Sequence, residues 1–348
     1  MSANSALATR HVHPGVWWIA ASALVALGVL LGIWWRFFPS AGDFREYPML
    51  ARTDIPAAIA AGPDGAVWFT IDFSEAIGVV RDGQIRKIPK GGENLEPLGL
   101  AVDAAGNAWY ADSLARAIGR VSPDGTVTPY TLDAPLAQLG RLAVGPDNAV
   151  WFADAWSGGF VRLRDGEFTQ YAVQSPAGGP FGVAVDRSGT VWGSLQTANR
   201  IVRIAESGQV VELDVPTRGA IPSDLAVDAA GAVWFLEARA NKIGRFADGK
   251  FAEFAVPMAS AGLSGLAIGP DGSVWFAELR GQRLGRLRGG EIVEFPLPRA
   301  DARPVGIAVD GAGNIWYADL SGWVGELPAG RAQVQWIDSW RLLRWRPG

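Results

Sequence analysis

Seven tryptophans constrain this chain more than any other feature. Trp68, Trp109, Trp151, Trp192, Trp234, Trp275 and Trp316 follow one another at intervals of 41, 42, 41, 42, 41 and 41 residues. The residues around them repeat as well: GPDGAVWFT, DAAGNAWYAD, GPDNAVWFAD, DRSGTVWGS, DAAGAVWFLE, GPDGSVWFAE and GAGNIWYAD. Each repeat has the pattern of four short strands. An apolar stretch such as Leu100–Val102 is the first, and the Trp segment is the second. Between them, three residues before each Trp, stands Gly65, Gly106, Asn148, Gly189, Gly231, Gly272 or Gly313, all residue types that tolerate the positive φ of a tight turn. An IGR-like piece, as in Ala117–Arg120 and Lys242–Arg245, is the third strand. The fourth alternates with period two, as in Ile292–Pro296, the pattern of a half-buried outer strand. A period of 40–45 residues built from four strands is that of a propeller blade. The expected fold class is all-β, a seven-bladed β-propeller over residues 45–331, with the repeat tryptophans filling the space between blades. A prior of two domains from 348 residues gives way to one closed ring.

The ring needs a strand to complete blade seven. The segment Asp43–Leu50 has the fourth-strand pattern, and Tyr47 lies 21 residues before Trp68, just as Phe295 lies 21 before Trp316. Gln333–Ile337 also follows blade seven at a suitable distance. The N-terminal segment, a closing strand near 45–50, is the favoured choice.

Ahead of the ring, Val16–Trp35 is a run of 20 residues without a charge. As a helix it would span about 30 Å, the thickness of a bilayer core. Trp17 and Trp18 at one end and Trp34 and Trp35 at the other have the pattern of interfacial belts, and Arg36 closes the run. The run is longer than the apolar region of a cleaved signal peptide, and Pro39-Ser40-Ala41 is a poor cleavage site. The expected organisation is a short tail (1–15), one N-terminal transmembrane α-helix (16–38), a tether (39–44), the propeller, and a C-terminal tail (332–348). In that tail Trp336, Trp340 and Trp345 alternate with arginines, which suits a lipid headgroup surface or a membrane partner. The expected location is the inner (cytoplasmic) membrane, single-pass, with the propeller on the periplasmic or extracellular side.

Composition narrows the chemistry. There is no cysteine, and the two histidines, His11 and His13, both precede the apolar run. Thiol nucleophiles, disulfides and imidazole chemistry in the body are excluded. From residue 43 onward there are 29 basic against 35 acidic side chains, which argues against nucleic acid as a partner. The remaining candidates are carboxylates. Three residues past the repeat Trp stand Asp112, Asp154, Glu237, Glu278 and Asp319, and Asp224 precedes the first strand of blade five. Together they would form an acidic rim at the propeller mouth, able to hold Ca²⁺ or Mg²⁺ through oxygen ligands. The competing expectation is that each pairs with a neighbouring blade, with Arg120, Arg162, Arg203, Arg245 and Arg286 as partners. The GPDG and DxxG turns lack the full spacing of a calcium loop and are better explained as ordinary turns.

The repeat P-x-G-I-A-x-G-P-D-G-x-V-W-F-x-E, then I-G-R, then V-E-F-P-L-P resembles that of the virginiamycin B lyase family, over about residues 43–327. NHL-repeat and gluconolactonase-like propellers are looser relatives. The resemblance implies a seven-bladed propeller that opens a cyclic streptogramin by elimination, using Mg²⁺ and histidines. Those histidines would stand at the x of P-x-G in the last two blades. Here that position reads Ala57, Leu98, Gly140, Phe181, Ser223, Ser264 and Val305 around the ring, with no general base. The expected function is therefore a non-catalytic, membrane-anchored protein-interaction module, an accessory subunit of a membrane protein complex. The alternative is a metal-dependent lyase or lactone hydrolase with a carboxylate site at the mouth.

Overall fold

The protein is described here from a computed structural model, in which residues 43–93 and 97–332 are described. The expected transmembrane segment 16–38, with Trp17, Trp18, Trp34, Trp35 and Arg36, lies outside the described residues. So does the aromatic tail with Trp336, Trp340 and Trp345. No helix among the described residues is long and apolar enough to cross a membrane.

The compact unit Ala41–Ala332 contains seven four-stranded antiparallel sheets. After a first strand β1 (Arg45–Pro48), blade one consists of β2 (Ile55–Ala61), β3 (Val67–Asp72), β4 (Ala76–Arg81) and β5 (Gln84–Pro89), in sequence order. Blades two to six repeat this order over 100–131, 139–172, 180–214, 222–255 and 263–296. Blade seven has the order β1-β28-β27-β26, where β1 is Arg45–Pro48, β26 Pro304–Val309, β27 Ile315–Asp319 and β28 Trp323–Leu327. The N-terminal strand thus closes the ring, with Arg45 opposite Glu326 and Tyr47 opposite Val324. Tyr47 stacks on Trp316, ring centroids 5.8 Å apart.

The core is divided among the seams. Seven buried clusters each join one blade to the next: Trp109 packs with Phe152 of blade three, Trp192 with Phe235 of blade five, Trp275 with Tyr317 of blade seven. The last seam sets Trp316 and Val324 against Phe69 and Ile71 of blade one. A single sheet cannot bury both of its faces, so each tryptophan finds its apolar environment on a neighbour.

The repeat arginines do not pair with the acids three residues past the Trp. In blades two to six the arginine is the direct cross-strand partner of the tryptophan itself, as in Trp109↔Arg120 and Trp275↔Arg286; in blades one and seven Val79 and Glu326 stand there. The guanidinium groups of Arg120, Arg162, Arg245 and Arg286 lie 5.7, 5.9, 5.4 and 5.8 Å from their Trp rings. The acids stand three residues further along the strand, about 10 Å away. The IGR glycine has an equally local cause. Gly285 is opposite Phe276, and a Cβ on it would lie 2.1 Å from the ring; Gly244 stands in the same relation to Phe235 at 2.2 Å.

The chain leaves and re-enters the sheets on two faces. One, the turn face, carries the tight turns between first and second and between third and fourth strands. There the aspartate side chains are consumed locally. Asp103 accepts the backbone N–H of Ala105 and Asn107, and Trp109 Nε1–H at 2.9 Å. Asp228 and Asp310 do the same for Trp234 and Trp316. In the GPDG and GPDN turns, Asp64 and Asp147 instead pair with Arg81 and Arg164. These are Asx turns, not cation loops. The other face, the mouth face, carries the longer connections between blades and the loops between second and third strands.

Candidate functional site at the propeller mouth

The innermost strands reach the mouth with a break in their register. Blade three shows it between Leu139 and Leu142, blade five between Pro222 and Leu225, blade six between Leu263 and Gly265. Such bulges re-aim a side chain. The re-aimed position reads Ala58, Gly99, Arg141, Gly182, Asp224, Gly265 and Gly306 around the ring. Five are small because the neighbouring blade's backbone is close: a Cβ on Gly182 would lie 2.3 Å from the Ser223 carbonyl oxygen, one on Gly306 2.5 Å from that of Ala57. Two are charged, with opposite signs.

Arg141 extends into the centre of the ring and binds across it. One Nη donates to the Leu98 carbonyl of blade two at 3.0 Å, the other to the Ser264 carbonyl of blade six at 2.9 Å. The second also lies 3.3 Å from Asp224 of blade five. The guanidinium sits 5.8 Å from the Phe181 ring of blade four. Asp224 in turn accepts the backbone N–H groups of Leu225 and Leu266, each at 3.1 Å. Burial nevertheless pushes its carboxyl above the ordinary range, outweighing Arg141. Five of the seven blades are tied together by this one bridge. Sequence reasoning singled out Asp224 and missed Arg141. The signal was present: at that position of the repeat, Arg141 and Asp224 are the two departures from a small residue.

The other five acids do not converge on the centre: Asp112 reaches a lysine at the end of blade one, and the others stay near their own strands. Asp112 is enclosed and paired with Lys90 Nζ at 2.9 Å. Asp154 accepts the backbone N–H of Gln138 and of Trp156, both at 3.1 Å. Asp319 receives Arg299 Nη at 2.6 Å, together with the N–H of Arg303 and the N–H and hydroxyl of Ser321. Arg299 also binds Glu46 of β1 at 3.0 Å and lies 4.6 Å from the Trp323 ring.

Glu237 and Glu278 differ. Both are fully buried; among the described residues the Glu278 carboxyl has no hydrogen-bond partner, and the Glu237 carboxyl faces only the Glu253 carboxylate. Each lies near a second carboxylate on the outer strand of its blade. Glu253 is held by Lys242 at 2.7 Å and by Thr217, and Glu294 by Arg283 at 2.8 Å and the Met258 N–H. Burial, reinforced by Glu253, pushes Glu237 up to about 7. Burial and Glu294 push Glu278 up to about 8. Glu46 occupies the same outer-strand position in blade seven, but there the buried acid has Arg299 as its partner.

Among the described residues no three acidic or histidine side chains are placed to hold a metal ion. The carboxylates at the mouth do not fit the Mg²⁺ that the resemblance implies, because each is either bound to a cation or to backbone N–H groups, or buried within its own blade.

Concavities open on this face over several blades. One of about 830 Å³ lies over blades two to four, lined by Leu114, Leu136, Leu139, Phe181 and Thr197 among others. A second, of about 500 Å³, lies over blades five and six, with Arg239, Arg280, Ser260 and Ser264 in its wall.

The sequence profile of the virginiamycin B lyase family matches residues 38–163 and 117–336. A virginiamycin B lyase of Nocardia farcinica (strain IFM 10152) is 34% identical over 168 residues, 48% of this chain; the chain spans 57% of that relative's length. A catalytically inactive virginiamycin B lyase from Staphylococcus aureus, crystallised with quinupristin, is 26% identical with a TM-score of 0.77, over 81% of this chain and 98% of the other. A streptogramin B lyase structure superimposes with a TM-score of 0.78 at 26% identity, over 81% and 96%. With most of its length inside the profile and its ring superimposing on lyase structures, the chain belongs to the virginiamycin B lyase family.

Proposed function

We propose that this member of the family is a non-catalytic propeller that binds another protein, anchored by residues 16–38 on the outer side of a cytoplasmic membrane and serving as an accessory subunit of a membrane complex. The observation that carries this reading is the Arg141 bridge. The centre of the mouth, where a propeller enzyme would engage its substrate, is filled by the protein's own guanidinium, bound to blades two, five and six. What the face offers outward is its rim. The residues support the same direction: no histidine follows His13, and elimination needs a group to take the proton.

One observation favours a second reading. Glu237 and Glu278 titrate near neutrality, as general bases do. They would support the alternative of a metal-dependent lyase or lactone hydrolase, with one of them taking the proton.

Purification of the full-length protein from its native membrane in mild detergent tests the first reading. A stoichiometric membrane partner is expected, lost when residues 1–42 are deleted. Incubation with quinupristin and Mg²⁺ is expected to leave the ring of the depsipeptide closed. A lone monomer, or turnover of quinupristin abolished by Glu278→Gln, would overturn the reading in favour of the enzyme.

A further inference from the structure

The two faces of the propeller differ in charge and in what they expose. On the turn face every first turn carries an aspartate: Asp64, Asp103, Asp147, Asp186, Asp228, Asp271 and Asp310. On the mouth face, the loops from 215 to 303 present Arg218, Arg239, Arg280 and Arg303, all exposed, against one acid, Asp301, which is already paired with Arg299. None of these four arginines forms an ion pair among the described residues. Arg239 and Arg280 occupy the same position of adjacent blades, five residues past the repeat Trp, and share the wall of the 500 Å³ concavity. Two unpaired guanidinium groups on one concave surface are suited to bidentate capture of carboxylates.

Over blades one to three the rim exposes large apolar side chains among scattered charges such as Arg116. Leu50, Phe73, Leu114, Leu136 and Trp156 are each more than half exposed, and all five stand on mouth-face loops, over blades one to three. Phe73, Leu114 and Trp156 hold the repeat position that Arg239 and Arg280 hold across the ring. One position of the repeat is thus apolar on one side of the mouth and basic on the other.

We propose that the mouth face is the docking surface for a polypeptide segment of the partner, one that carries acidic side chains beside apolar ones. Its acids seat between Arg239 and Arg280, and its apolar side chains cover Leu114, Leu136 and Trp156. This rests on the interaction reading above. A lipid surface would also suit arginines and exposed apolar groups, but the course of the chain favours a protein. The described chain begins and ends on the turn face, where Arg331 pairs with Asp43 at 3.2 Å. Asp43, the first described residue, therefore lies on the face opposite the mouth, and residues 1–42 precede it in the sequence.

The test uses the full chain in mild detergent, with a displayed library of random short peptides as probe and phosphatidylglycerol vesicles as the lipid arm. Enriched peptides are expected to combine Asp or Glu with Leu, Phe or Trp. Their affinity should fall at least about tenfold in Arg239→Glu/Arg280→Glu and in Leu114→Ser/Leu136→Ser, and should weaken with added salt. The control Arg187→Glu/Lys250→Glu, on the turn face, should bind as the parent does. Unchanged melting of the variants confirms that they fold; Arg239→Gln/Arg280→Gln serves if the charge reversal does not. Failure to enrich peptides, enrichment without acidic residues, indifference to the arginine changes, or arginine-dependent binding of vesicles but not peptides would each overturn the proposal. A native partner retained by the arginine variant overturns it while leaving the interaction reading in place; absence of any native partner overturns that reading itself.

Discussion

Glu237 and Glu278 are enclosed in surroundings that disfavour their charged forms. Each folded-state pKa lies above the usual value near 4.5, so the folded protein holds protons that the unfolded chain releases. Stability from these two groups is complete below about pH 4.5 and is lost as pH rises through about 7 for Glu237 and about 8 for Glu278. Glu237→Gln and Glu278→Gln keep the shape and remove the titration. Each is expected to stabilise the protein by on the order of 2 kcal/mol at pH 8 and to change little at pH 5. Urea unfolding across that range measures it, and equal effects at both pH values would disprove the buried-acid assignment. Arg141 tests a different kind of burial. Arg141→Met leaves Asp224 enclosed without its cation and is expected to cost about 3–5 kcal/mol, while Arg141→Met/Asp224→Leu recovers most of the loss. A double-mutant cycle with no coupling would mean that the bridge is incidental. Asp224 could be picked out in the sequence as an acid near a first strand. Arg141 could not be linked to it, because the contact joins blades two apart and depends on where the bulges aim the two side chains.

At the scale of the strand, the sequence was most legible where the period is strict. The tryptophan spacing placed the second strands, and the interval from Tyr47 to Trp68 placed β1 in blade seven. The strand-three arginines were less legible: spacing allowed them either the tryptophan or the acid, and the register puts them on the tryptophan. Closure by β1 rests on Tyr47 against Trp316 and on Glu46, which binds Arg299 and the Tyr317 hydroxyl at 2.8 Å. Tyr47→Ala is expected to destabilise the ring by about 2 kcal/mol through lost packing and stacking. Removal of residues 43–49 would expose the edge of β28 and is expected to drive the protein into aggregate, as size-exclusion chromatography would show. Gly285→Ala makes the matching test inside a blade. Its Cβ would overlap the Phe276 ring, and a loss of about 1–3 kcal/mol is expected. Phe276→Leu should relieve part of that loss; if it adds to it instead, the glycine is there for another reason.

For the whole molecule, closure and function were legible to different degrees. Seven similar seams and a closing strand are properties of a period, and a period is visible in one dimension. The mouth is different, because its character comes from the positions where the repeat is broken: Arg141 and Asp224 at the centre, apolar residues on one arc of the rim and arginines on the other. The acids expected at the rim follow the repeat and do not break it. Acids that recur with the scaffold are used by the scaffold, through Lys90, Arg299 and backbone N–H groups, or are buried between its strands. A bound ion stabilises a fold in proportion to its occupancy, so metal binding at the mouth would show as a rise in melting temperature with concentration. With no three acids converging among the described residues, neither Mg²⁺ nor Ca²⁺ in millimolar excess, nor a chelator, is expected to move the melting temperature by more than about 1 °C. The Arg141→Met variant extends this test, because it frees Asp224 while leaving the other mouth acids in place. If a saturable rise appears in the parent protein, the carboxylates must rearrange around an ion, and the enzyme reading regains its metal. If it appears in Arg141→Met alone, the guanidinium stands where a cation would otherwise be held, and the bridge is what separates this propeller from a metal-binding one.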